Sequence, residues 1–206
     1  MFYSEDPDKA FRLGDILQGF VFASTKIESP SSLSNYSIDV SIPEYAVILT
    51  PCCSISEKVI TLTPLLPLRG AFFKNPYFVE DLTRLNRLIS PENSLPPVDW
   101  GRLPPEEKQK RLAEGEAYAF VDLFIYGNHD LLPSYAISRK EGNIDTNCYM
   151  IDFKKTYHIN CDKILSPKQV PLEAKYLQLS IGTRKELRDK LTNYIQRIPD
   201  EDKDYL

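Results

Sequence analysis

Tyr45-Ala-Val-Ile-Leu-Thr-Pro-Cys-Cys-Ser-Ile-Ser-Glu-Lys-Val-Ile-Thr-Leu-Thr-Pro64 decides how the rest of the chain is read. Two apolar, β-branched runs flank a polar elbow that carries Thr50, Cys52, Cys53 and Ser54. Ala46-Val-Ile-Leu49 shows no polar–apolar alternation, so it predicts a central strand covered on both faces. Val59 to Thr63 reads as another strand, ended by Pro64 to Pro67. Strands of this kind need neighbours, and the sequence on either side supplies them.

Upstream, Gly14-Asp15 is a turn signal, and Ile16 to Ala23 is rich in strand formers. Residues 24–35 form a polar, Ser-rich loop. Tyr36, Ile38, Val40 and Ile42 then alternate with Ser37, Asp39 and Ser41, and that period of two predicts a half-buried strand. Residues 1–10 read as an acidic arm, either loose or adhering. Four strands within about 65 residues, joined by short turns, predict a small barrel or a strongly bent sheet.

Downstream the pattern changes. Phe78, Leu82, Leu85 and Ile89 share a helical face, and Ser90-Pro91 ends that helix. A proline-rich crossing from Leu95 to Pro105 follows, with Trp100 to pin it, and proline opens a short charged helix. Strands resume at Ala117 to Tyr126, Tyr135 to Arg139, Cys148 to Phe153 and Thr156 to Ile159, with a tight turn at Glu141-Gly-Asn143. Thr183-Arg-Lys-Glu186 reads as a capping box, followed by the stripe Leu187, Leu191, Tyr194, Ile195 and Ile198. The expected architecture is α+β in a single domain over residues 1–206. It is a small bent β-sheet of SH3-like barrel type, built from β-rich segments 11–69 and 117–160. A helical insertion fills 70–116, and residues 168–206 form a C-terminal helical region. Residues 14–63 are expected beside 117–159, because neither half closes a sheet alone.

The 206 residues, 42% hydrophobic and 26% charged, suffice for a real core. Sixteen Pro against eight Gly point to stiff connections rather than flexible linkers. A formal net charge of -4 argues against broad, non-specific nucleic-acid binding and leaves room only for a local basic groove. Four Cys are too few for a disulfide scaffold, and adjacent Cys52-Cys53 would be strained as a pair. The opening residues are not a basic, apolar leader, and no apolar run reaches the roughly 20 residues that cross a bilayer. A cytoplasmic protein with reduced thiols and no membrane partner is expected.

The order of these features resembles a widespread group of bacterial proteins. The Gly14-Asp15-Ile16 opening, the elbow Val47-Ile-Leu-Thr-Pro-Cys-Cys-Ser-Ile55, the Ile151-Asp152-Phe153 strand and the helix after Leu177-Gln-Leu179 carry the likeness. Members of that group have a Ser-Gln-Thr-Cys-Asp type elbow. The front third also resembles the SH3-like barrels of MazF/PemK-type toxins, which cut RNA without a metal. The resemblance implies a bacterial defence, toxin–antitoxin or mobile-element setting. Here Thr50 stands at the group's Ser, Pro51 at its Gln and Ser54 at its Asp, and no clear match exists for the Arg of the toxins.

Thr50, Cys53 and Asp15 are the candidate catalytic residues. A reactive Cys needs a base or a positive field nearby, and the only two His are His129 and His158. The competing reading makes one Cys a small core residue and Asp15 the closing residue of a turn. His158-x-x-Cys161 with Cys52 or Cys53 has workable spacing for zinc, but there is no Cys-x-x-Cys, and neither a metal nor a cofactor is expected. His129-Asp130 reads as a surface turn. Arg102, Lys108, Lys110 and Arg111, like Arg184, Lys185, Arg188 and Lys190, are interleaved with acids, as on solvated helix faces. Exposed aromatics among Phe72, Phe73, Tyr77 and Phe78 could stack on bases or a partner.

The missing acid–base pair and the acidic charge favour a non-catalytic binding or accessory protein that acts through protein partners, with nucleic acid as a further candidate partner. One alternative is a MazF-like, metal-independent endoribonuclease with Asp15, Thr50 and Cys53 in its groove. Another is a phage-encoded inhibitor of a host protein.

Overall fold

The structure is a computed structural model. It describes residues 1–28, 35–51, 59–68, 86, 94–95, 97–114, 117–118, 122–139, 142–160 and 175–196. The elbow residues Cys52, Cys53 and Ser54 lie outside the described residues, as do Cys161, Phe72, Phe73, Tyr77, Ile198 and all of the helix expected over Phe78 to Ile89 except Asn86. The chain divides into two compact units, Met1–Leu66 with Lys154–Arg184, and Pro67–Phe153 with Lys185–Leu206.

In the first unit the strands are β1 (Ile16–Gln18), β2 (Phe22–Ile27), β3 (Tyr36–Ser41), β4 (Tyr45–Ile48) and β5 (Val59–Pro64). The connecting strand β6 is Leu66–Pro67. In the second unit β7 (Ser94–Leu95) leads through helices α1 (Pro97–Arg102) and α2 (Pro105–Ala113) to β8 (Ala117–Tyr118). There follow β9 (Leu123–Tyr126), β10 (Tyr135–Arg139), β11 (Gly142–Thr146) and β12 (Tyr149–Asp152). The chain then returns to the first unit with β13 (Tyr157–Asn160) and β14 (Lys175–Leu177), and α3 (Ile181–Ile195) follows.

β4 is the middle of a five-stranded sheet ordered β13-β5-β4-β1-β14. Its pairs are antiparallel, with Ile16 opposite Val47, Ile48 opposite Leu62, and His158 opposite Thr61. All four β4 residues are buried, as an uninterrupted apolar run requires of a central strand. Leu17, Ala46, Ile48, Ile60 and Leu62 form one cluster with Phe11 and Phe22, against which Phe20, Tyr157 and Ile159 pack. Ile16 and Val47, on the other pleat, are equally buried. The N-terminal arm adheres: the Ser4 N–H donates to the Gln178 carbonyl at 2.9 Å, and the Ser180 N–H to the Phe2 carbonyl at 3.0 Å.

The α+β class stands, and among the described residues no sheet closes into a barrel. The run Ile16 to Ala23 is two strands, not one. Gly19 sits between them at φ 84°, a left-handed conformation that ends β1 and turns the chain into β2. Among the described residues of the segment expected beside residues 14–63, only β13 joins the five-stranded sheet. β9 and β12 instead pair with each other, all eight residues buried, in a sheet ordered β6-β12-β9. The Asn86 side chain supplements β9, accepting from the Ile125 N–H at 2.8 Å and donating to the Ile125 carbonyl at 2.7 Å, as a neighbouring strand would. β10 and β11 form a separate hairpin.

Other expectations meet the structure as follows. The proline-rich crossing contains the helix α1, with Trp100 buried in it, and the charged helix opened by proline is α2. The C-terminal region begins with a strand, β14, which takes the open edge of β1. The helix α3 starts one turn before the capping box read at Thr183. Ser180 is the cap, and its hydroxyl accepts from the Thr183 N–H at 3.2 Å. No helix among the described residues is long and apolar enough to cross a membrane.

Candidate functional site

Asp15 follows Gly14, whose φ of 85° bends the chain just before β1. That bend turns the Asp15 carboxylate back onto its own loop, where Oδ2 accepts from the Arg12 N–H at 2.8 Å. The same oxygen lies 2.8 Å from the Lys175 Nζ of β14, and the two side chains are 0% and 6% exposed. The ammonium also donates to the carbonyls of Asp8 and Ala10, both at 2.8 Å, and to Gln178 Oε1 at 3.0 Å. Asp15 Oδ1 is buried without a hydrogen-bond partner among the described residues. Burial pushes the carboxyl up to about 6, against the opposing pull of Lys175, the Arg12 amide and the charge of Arg184. This is a latch that ties the N-terminal arm, β1 and β14 together. A general base must reach a substrate proton, whereas this carboxylate is sealed from solvent and held by an ammonium.

Thr50 leaves β4 buried, and its hydroxyl accepts from the Thr61 N–H of β5 at 2.6 Å. The Leu49 N–H bonds the Thr61 carbonyl at 2.8 Å, so Thr50 extends the β4–β5 ladder by one side chain. Thr61 Oγ1 and His158 Nδ1 share a hydrogen bond of 3.0 Å on the exposed side of the β5–β13 pair. Thr61 thus bonds Thr50 through its amide and His158 through its hydroxyl, while Cys53 lies outside the described residues.

His129 caps a turn, as its neighbourhood in sequence implied: Nδ1 accepts from the Leu131 N–H at 3.1 Å and its carbonyl from the Leu132 N–H at 2.9 Å. The basic clusters are dispersed among local partners. Arg102 pairs with Asp99 at 3.5 Å, Arg111 with Glu107 at 3.1 Å and Arg188 with Asp189 at 2.8 Å. Lys190 is 4% exposed and so is withdrawn from any phosphate. Cys148 is buried, and burial raises its thiol above the ordinary range. Among the described residues no group of three or more His, Cys, Asp or Glu could hold a metal ion.

The largest unexplained feature is the β2–β3 hairpin. Its register sets Ala23 opposite Val40, Thr25 opposite Ile38 and Ile27 opposite Tyr36, and continuing it places Val21 opposite Ile42. Side chains alternate along a strand, so all eight share one face. The other face carries Ser24, Lys26, Ser37, Asp39 and Ser41, with Phe22 at its root. Phe22 is buried and stacks on Tyr157 with ring centroids 4.5 Å apart, which fixes the ribbon to the sheet. Beyond that root β2 is exposed at every position and β3 at all but Ser37. On the apolar face Val21, Ile27, Tyr36, Ile38, Val40 and Ile42 are 54% to 73% exposed. Among the described residues β2 and β3 pair only with each other. The alternation placed the strand, but the half-buried face it predicted is exposed instead, because no other described strand packs over it.

No family model, curated protein or solved structure matches the chain. Sequence patterns flag no role for Lys175, and Lys190, expected on a solvated helix face, is buried instead. Lys175 has no local signal, since its partner lies about 160 residues away and only sheet pairing brings them together. Lys190 could have been found, because it falls three residues after Leu187 and four before Tyr194, within the helical stripe.

Proposed function

We propose that this chain is a non-catalytic binding protein that engages another protein through the apolar face of the β2–β3 hairpin. The observation that carries this reading is the six large apolar side chains exposed together on one face of a ribbon whose strands, among the described residues, pair only with each other. Monomeric proteins seldom leave contiguous apolar patches above roughly 300–600 Å² open to water, and such patches mark contact sites. The net charge of -4 and the locally paired arginines favour a protein over a nucleic acid as the partner. The surroundings of Asp15 and Thr50 give both residues structural work, which weighs against a metal-independent ribonuclease built on them. The same proposal reads the sheet of the first unit as an SH3-like fold. It takes the cytoplasmic, bacterial defence or mobile-element setting from the resemblance of the Gly14-Asp15 opening and the elbow.

A photo-crosslinking amino acid placed at Ile38 in cells tests the reading, with Ser24 on the polar face as the control position. A discrete protein adduct from position 38 and none from position 24 is expected. The reading fails if a folded chain gives no adduct from position 38.

A further inference from the structure

We infer that the partner on the hairpin is a second copy of this chain, docked face to face about a two-fold axis through the middle of the two ribbons. This rests on the reading that the apolar face is a binding surface and names what covers it. The first argument is charge. The apolar face carries no charged residue, while Lys26, Glu28 and Asp39 lie on the opposite side and Lys26 pairs with Glu28 at 3.8 Å. A charged partner surface gains nothing there. A copy of the same face offers apolar groups to apolar groups, the self-complementarity that an isologous contact requires.

The second argument is area. At 54% to 73% exposure, the six large side chains present about 600 Å² of mostly apolar surface. Two copies face to face remove at most about 1,200 Å² from water, reaching the lower bound of specific protein interfaces when the whole face is covered. The third argument is the ribbon itself. An isolated two-stranded hairpin is marginal in water, and beyond Phe22 this one exposes both faces to solvent. A second ribbon stacked at sheet-packing distance, roughly 10 Å, supplies the missing layer. Ile38, between Tyr36 and Val40, then lies close to the axis and meets the same region of its mate.

Sedimentation equilibrium of the full chain, with Ile38→Asp and Ile38→Val variants, tests this. The expected result is a dimer at micromolar concentration, weakened roughly a hundredfold by Ile38→Asp, which brings two carboxylates into one apolar centre, and little changed by Ile38→Val. Position 38 is exposed, so both variants should keep the wild-type circular dichroism and, at concentrations where the wild type is monomeric, its unfolding midpoint. Mixed isotopically labelled and unlabelled chains should crosslink to each other from position 38. A chain that stays monomeric while position 38 crosslinks to a different protein overturns the second copy but leaves the face as a docking surface. Adducts only within one chain overturn both. A dimer indifferent to Ile38→Asp places the contact elsewhere and overturns the inference.

Discussion

Two buried charges set the behaviour of this protein at the residue scale. Asp15 has an ordinary value of 3.8 and is raised to about 6, chiefly by burial. The folded chain therefore holds that proton more tightly than the unfolded chain. Its contribution to stability is full below about pH 4 and is lost as pH rises through about 6, on the order of 3 kcal/mol in all. Lys190 is lowered from 10.5 to about 7, again chiefly by burial, with the nearby Asp122 charge opposing. Its contribution is full above about pH 10 and is lost as pH falls through about 7, on the order of 5 kcal/mol. Urea unfolding between pH 4 and pH 10 reads each contribution as a difference from its variant: wild-type stability relative to Asp15→Asn should fall as pH rises from 4 to 6, and relative to Lys190→Met should rise from pH 7 to 10. A difference that does not change with pH contradicts that assignment.

At the scale of elements, the hairpin and the strand before it depend on one backbone conformation. Gly19 has φ 84°, and a Cβ built there meets nothing within 4 Å. Gly19→Ala therefore carries a purely conformational cost, about 1–2 kcal/mol for an L-residue in the left-handed region. Gly19→Asn should cost less, because Asn tolerates that region. Chemical denaturation separates the two, and equal costs would mean that the turn relaxes to another conformation. The central strand was legible because Ala46 to Leu49 are apolar at every position. The hairpin strand was legible because Tyr36 to Ile42 alternate. The end of β1 was not legible, since Ile16 to Ala23 contains strand formers on both sides of Gly19. The start of α3 was misplaced by one turn, because Ser180 and Thr183 are both good caps and only geometry shows whose hydroxyl meets the free amide.

On the scale of the whole molecule, the first unit is assembled from two distant pieces of chain, 1–66 and 154–184. β13 completes the sheet beside β5, β14 completes it beside β1, and Lys175 neutralises Asp15. A fragment of residues 1–66 should therefore lack a cooperative unfolding transition, whereas the full chain should have one. A cooperative transition in the fragment would show that the returning strands and the latch are dispensable. Sequence by itself determined the mixed α+β class, the central strand, the period-two face of β3 and the turn at Gly14-Asp15. Each of these is written in neighbouring residues, through hydrophobic period or backbone preference. Only the tertiary structure decided that β9 and β12 form their own sheet, that Lys175 seals Asp15 away from solvent, and that Thr50 bonds the neighbouring strand. It also decided that the apolar face of the hairpin is left bare. Those outcomes depend on which distant segments pair and which surfaces end up covered, and local patterns constrain neither.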